Sequence, residues 1–237
     1  MKAVILAGGK GRRLAPYTLI IPKALMPIGN VPILEVLLRQ IKSAGIEDVV
    51  LTVGHLADLL QAYFQDGSRL GLHITYSYEE SPLGTAGPLA LVKELDQAFL
   101  VANGDVLTTL HLEDLIAFHM SEKAVATIAV HQRNVSIDLG VVQCDGGNRI
   151  TGYAEKPSFD YLVSMGLYVF EPKVLSYIPR NKYLDFPDLV QLLLKAGEKV
   201  VGFPFDGYWE DLGRPDDYER ATGEFEAMRS QFLPESR

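Results

Sequence analysis

The chain has 237 residues, 48% apolar and 22% charged, a balance that excludes a disordered or fibrous protein and suits one α/β unit with a sizeable core. A formal net charge of -8 argues against a general nucleic-acid or anionic-membrane surface, and a single cysteine, Cys144, excludes an internal disulfide and a cysteine-rich metal site. No stretch approaches membrane-spanning length and the apolar opening MKAVILA stops at Gly8, too soon for a signal segment, so a cytoplasmic location is expected.

Lys2 to Ala7 is a β-branched and aliphatic run ending in glycines, which predicts a buried strand feeding a loop. The loop is unusual in charge. Residues 1 to 34 carry Lys2, Lys10, Arg12, Arg13 and Lys23 and no acid, leaving 17 cations against 30 acids in the rest of the chain. Prolines 16, 22, 27 and 32 make this segment too extended for a helix. An amphipathic helix follows in PILEVLLRQIKSAG, with Pro32 near its first turn and Gly45 after its end.

The alternation then continues as strand DVVLTV, helix LADLLQAYF, strand LHITYSY, helix TAGPLALVKEL, strand AFLVANG, helix LEDLIAFHM and strand AVATIAV. Repeated β then α predicts a Rossmann-like, mostly parallel central sheet with helices on both faces. From Leu139 the pattern changes: GVVQC-DGGN-RITGYAEK reads as a hairpin around Asp145 to Asn148 and so as a small antiparallel insertion, with Cys144 a structural thiol at a strand end. FPDLVQLLLKAG and RPDDYERATGEFEAM are expected as late helices.

Glycines between a strand and a helix let backbone N–H groups approach an anion without Cβ obstruction. This loop is not a Walker loop, because Lys10 has no Ser or Thr after it and Val4 stands where an upstream glycine is needed. The dinucleotide fingerprint fails too, at Leu14. His55, His73, His111, His119 and His131 share no ligand spacing with an acid or cysteine, which argues against zinc.

The run GGKGRRLAPYTLIIPKALMPIGNVPILE, Gly8 to Glu35, resembles the signature of the sugar-1-phosphate nucleotidylyltransferases, nearest to mannose-1-phosphate guanylyltransferase-like members. EESPLGTAG (79 to 87), NGD (103 to 105), EKP (155 to 157) and WEDLG-RP (209 to 215) resemble the same family in order. A left-handed β-helix extension of the kind some relatives carry is not expected after Asp217. The resemblance implies a single domain over 1–237, with a nucleotide-binding half at 1–135, a sugar-phosphate half at 136–212 and a C-terminal helix at 213–237.

The implied reaction is attack by a sugar-1-phosphate oxygen on the α-phosphorus of a nucleoside triphosphate, giving an NDP-sugar and pyrophosphate. One phosphoanhydride replaces another, so the requirement is alignment and charge neutralisation rather than a protein nucleophile. By the same resemblance Arg13 and Lys23 stabilise the leaving pyrophosphate, and Lys156 binds the sugar phosphate. Leu6, Ala7, Gly8, Gly9, Gly11, Glu79, Gly84, Thr85, Asn103 and Gly104 would meet the nucleotide; Gly140, Glu155 and Gly166 the sugar; and Asp105 with Asp211 would hold Mg2+. Gly140 and Gly166 read equally as a strand bulge or tight bend, and Trp209 as core packing.

Guanine presents adjacent N1–H and N2–H donors, which a carboxylate at Glu79 could accept, so GTP is favoured over UTP, dTTP or CTP. Glu79 and Glu80 also read as a solvated pair before a turn. The rivals are an NDP-sugar-dependent glycosyltransferase, which the lack of Asp-x-Asp at Asp105-Val106-Leu107 disfavours, and an inactive nucleotide-sugar-binding regulatory subunit. The expected partners are the triphosphate and the sugar 1-phosphate, with no nucleic acid and no membrane; a homo-oligomer stays open.

Overall fold

Period-two burial on both faces of short aliphatic strands builds the centre of the molecule. In the opening strand Lys2–Leu6, Ala3 and Ile5 enter one core while Val4 enters another; in Phe99–Asn103, Leu100 and Ala102 face the first core, and Phe99 and Val101 the second. Strands covered on both sides read as unbroken apolar runs rather than as alternation. The computed structural model describes residues 1–233.

Seven strands form the main sheet in the order Val200–Phe205, Ala126–Ser136, Ser158–Phe170, Phe99–Asn103, Lys2–Leu6, Asp48–Val53, His73–Tyr78. Every neighbouring pair is parallel except the two made by Ser158–Phe170, which runs antiparallel to both neighbours. Helices Ile33–Ser43, Ala57–Phe64 and Leu112–Glu122 cover one face through Leu34, Leu37, Leu60 and Leu115. Helix Phe186–Lys195 covers the other, its Phe186 packed against Tyr168 and Phe170 with ring centroids 4.3 and 5.8 Å apart. A third core joins Ile28, Ile33 and Leu212 to Phe225 and Phe232 of the late helices Pro215–Phe225 and Arg229–Phe232. Among the described residues no helix is long and apolar enough to cross a membrane. The last four residues of the helix expected over 213–237 lie outside the described residues.

Two local expectations are corrected, and one strand that the sequence reading did not name appears. TAGPLALVKEL is not an α-helix but one 3-10 stretch, Gly87–Leu91: the N–H groups of Ala86 and Gly87 both donate to the Leu184 carbonyl, at 2.9 and 3.0 Å, so tertiary pairing displaces helical bonding. The segment GEKVVGFPF yields the strand Val200–Phe205, which tolerates Pro204 because it lies at the sheet edge. Cys144 ends strand Val141–Cys144 as expected, but its side chain is exposed and belongs to no core. The predicted hairpin forms, and the Asp145 carboxylate closes its turn by accepting the N–H groups of Gly147 and Arg149 at 2.9 and 3.0 Å.

Candidate active site

From the opening strand the chain moves outward to Asp48–Val53 and His73–Tyr78, then returns to the other flank with Phe99–Asn103. The strand order therefore reverses between Lys2–Leu6 and Phe99–Asn103, and a crevice opens at their carboxyl ends, where open α/β sheets receive ligands. The glycine loop leaves the first strand there, and Gly104-Asp105 leaves the second. Gly104 N–H donates to the Leu6 carbonyl at 3.0 Å and ties the two loops together.

Lys23 is the centre of the charge arrangement. Its ammonium hydrogen-bonds to Asp105 and lies 3.5 Å from Asp211 Oδ1, so residues 82 and 188 positions away in sequence share one cation. The backbone explains the meeting. Trp209–Asp211 pairs antiparallel with Val106–Thr108, Asp211 opposite Val106, and the Leu212 N–H donates to the Asp105 carbonyl at 3.2 Å. Pro22 and the buried Ala24 hold Lys23 in a 3-10 turn, Lys23–Leu25, with its side chain only 13% exposed. Arg13 is exposed and makes no ion pair among the described residues; its Nη2 and Asp211 Oδ1 each lie 3.1 Å from the point a Cβ on Gly213 would occupy. Gly213 was not singled out in the sequence, although it stands inside WEDLG-RP.

Among the described residues, the N–H groups of Gly8, Gly9, Lys10 and Gly11 find no protein acceptor, while Ala7 N–H is fixed to the Thr52 carbonyl at 2.9 Å. Four donors left unclaimed in one glycine loop are the backbone groups an anion site requires. Glu79 lies across the loop: its Oε1 would stand 2.7 Å from a Cβ on Gly8, so a side chain there would push the carboxylate aside, and its Oε2 accepts the Leu83 N–H at 3.0 Å. Burial raises the Glu79 carboxyl above the usual range, and the Leu83 hydrogen bond partly offsets this.

On the other flank Gly166 has φ +75°, and a Cβ there would meet Asn103 Nδ2 at 2.5 Å. It sits where the pairing register with Ala126–Ser136 shifts, a bulge that brings backbone against Asn103. Trp209 packs on the main core and also donates its indole N–H to the Met165 carbonyl at 2.9 Å, joining this bulge to the strand that carries Asp211.

Other expected residues lie elsewhere. Thr85 engages Asp185: its N–H and hydroxyl approach Asp185 Oδ1 at 2.9 and 3.2 Å, while its hydroxyl accepts the Phe186 N–H at 2.8 Å, so it secures the start of helix Phe186–Lys195. Gly84 packs on Leu184 and Asp185 in the same junction. Asp185 had a legible signal, an acid immediately before Phe-Pro at a helix start. Glu155 and Lys156 are exposed; Glu155 accepts the Tyr153 hydroxyl at 3.0 Å, and Tyr153 also fills the space that a Cβ on Gly140 would need. These three belong to the antiparallel insertion, and no hydrogen bond joins them to Lys23 or Asp105 among the described residues.

Residues 2–227 match the sequence profile described as nucleotidyl transferase, and the chain belongs to that family. It is similar to mannose-1-phosphate guanylyltransferase of Mycobacterium tuberculosis, 38% identical across 94% of this chain and 64% of that protein. It is equally similar to UTP-glucose-1-phosphate uridylyltransferase of Synechocystis, 37% identical across 93% and 62%. The chain thus spans about three fifths of the length of these curated relatives. Among solved structures, one from Bacillus anthracis described as a glucose-1-phosphate thymidylyltransferase, in complex with sucrose, has a TM-score of 0.76 and 26% identity and covers 94% of both chains.

Proposed function

We propose that this protein is a Mg2+-dependent sugar-1-phosphate nucleotidylyltransferase that joins a nucleoside triphosphate to a sugar 1-phosphate with release of pyrophosphate. The observation that carries the reading is the meeting of Lys23, Asp105 and Asp211 beside a loop of unclaimed N–H donors. The glycine loop receives the phosphate chain. Arg13, without an ion pair among the described residues, neutralises the departing pyrophosphate by bidentate contact. Lys23 supplies a second positive charge held rigidly by its turn, and Lys156 binds the incoming sugar phosphate from the insertion.

Mg2+ fits the donor set, since it takes one or two protein carboxylates and completes its shell with water and phosphate oxygens. Asp105 and Asp211 are such a pair, already gathered around a cation, and among the described residues no third His, Cys, Asp or Glu joins them. When bound, the ion would draw charge from the α-phosphate. Glu79 favours GTP through the paired donors of guanine, and its contact with Leu83 N–H leaves lone pairs on both oxygens for that purpose. The three similar proteins carry guanylyl, uridylyl and thymidylyl names, so the base rests on Glu79 alone.

Pyrophosphate release should be measured for GTP, UTP, dTTP and CTP against a panel of sugar 1-phosphates, with and without Mg2+. Turnover confined to one or two pairs and abolished by chelation is expected. Binding of an NDP-sugar without turnover of any pair would instead identify a regulatory subunit.

A further inference from the structure

Between the exposed Tyr17 and Leu19, at 62% and 67%, Thr18 is only 2% exposed, a buried hydroxyl in a stretch that otherwise faces water. Its hydroxyl donates to the Gly11 carbonyl at 2.8 Å, and the Leu14 N–H donates to the same oxygen at 2.9 Å. A carbonyl oxygen has two lone pairs, and both are engaged here. Packing reinforces the hydrogen bond: a Cβ on Gly11 would meet Thr18 Cγ2 at 2.9 Å and Lys23 Cβ at 3.3 Å. Gly11 is thus set between Thr18 and the turn that holds Lys23.

This contact fixes which way one peptide of the glycine loop points. The peptide between Gly11 and Arg12 is planar and trans, so its N–H points opposite to its carbonyl. With the oxygen turned to the buried Thr18, the Arg12 N–H is turned away from the interior, and it donates to no acceptor among the described residues. It extends the row of unclaimed donors at Gly8, Gly9, Lys10 and Gly11. Gly11 sits at φ +58° and, lacking a Cβ, can rotate its peptide readily; the rotated form would present a carbonyl oxygen to an anion in place of an N–H. Gly11 belongs to no strand, and among the described residues the Thr18 hydroxyl is the one side chain that hydrogen-bonds to it.

We infer that Thr18 is a positioning residue for the phosphate chain: its hydroxyl holds the Gly11 carbonyl inward, so that the loop offers N–H groups to the anion. Thr18 has this role only if the glycine loop receives the triphosphate, the reading on which it rests. Initial rates in both substrates, and calorimetric titration of pyrophosphate with Mg2+ present, should be compared for the wild type, Thr18→Val, Thr18→Ala and Thr18→Ser. The valine keeps the buried shape and loses the hydroxyl; the alanine and serine variants differ in the hydroxyl alone. Thr18→Val and Thr18→Ala should raise the KM of the triphosphate and the Kd of pyrophosphate about ten-fold, the loss of about one orienting hydrogen bond, and leave the KM of the sugar 1-phosphate unchanged. Thr18→Ser should bring both values back close to the wild type. Equal affinities in the alanine and serine variants overturn the role of the hydroxyl, and so does an equal rise in the KM of both substrates, which marks a general loss of structure. That pair decides the matter even where Thr18→Val does not fold. A wild type that binds neither triphosphate nor pyrophosphate overturns the reading of the loop itself, whereas full turnover in the wild type with equal alanine and serine variants removes only the role of Thr18.

Discussion

The crevice at the strand ends and the exposed insertion differ in how their residues are held. Lys23, Asp105 and Asp211 are positioned by paired backbone above a core whose side chains are almost wholly buried, so their geometry is fixed before any ligand arrives. Lys156 and Glu155 ride on ribbons that lack a covering layer and have at most one side-chain partner between them. Under the proposed function the first set handles charge at a reacting phosphorus, where preorganised groups gain from rigidity, and the second meets the sugar phosphate from an exposed ribbon.

The sharpest break of that comparison is at the crevice. Lys23→Ala or Asp211→Asn should reduce kcat by about a hundred- to a thousand-fold while leaving the fold intact, since each removes one preorganised charge. Differential scanning fluorimetry with added Mg2+ gives a readout independent of turnover: the shift in Tm should vanish in Asp105→Asn. A full shift there would mean that the carboxylates do not hold the ion.

On the insertion, Lys156→Ala should raise KM for the sugar 1-phosphate by about ten-fold or more, the loss of about one charge-assisted contact, with Tm unchanged because the side chain is exposed. Equal losses in kcat and Tm would show a structural residue instead. Between the two regions, Gly166→Ala forces a side chain into a left-handed backbone and against Asn103, and should cost about 1–3 kcal/mol in chemical denaturation together with a fall in kcat/KM. Thr85→Val removes the cap shared with Asp185 and should cost about 1 kcal/mol, with a smaller effect on the KM of the triphosphate.

The smallest effect concerns Glu79. Burial raises its carboxyl pKa, so the folded state takes up a proton more readily than the unfolded chain. The stability linked to this group is complete at acid pH and is lost as pH rises through the raised value. Glu79→Gln should accordingly gain Tm over the wild type as pH increases from about 4. The wild type's preference for GTP should weaken as pH falls through the same range; a preference independent of both pH and the substitution would assign base choice to backbone groups.

Much of this was legible in the sequence because it is local. Aliphatic runs ending in glycine gave the central strands, Asp145 with two glycines gave the hairpin turn, and the acid-free stretch from Met1 to Leu34 marked the loop where anions are expected. The helix predicted across Gly87 failed because its N–H groups are claimed by Leu184, nearly a hundred residues away. The tie between Thr85 and Asp185, a hundred positions apart, was hidden for the same reason.

The order of residues along the chain determined which groups exist, how each segment folds locally and where positive charge gathers. Only the folded sheet decided that Asp105 and Asp211 share Lys23, that Gly213 opens the way for Arg13, and that the apolar sides of the insertion face water. Those are relations between distant segments. They are set by strand order and register, which depend on how the whole core packs rather than on any one stretch of sequence.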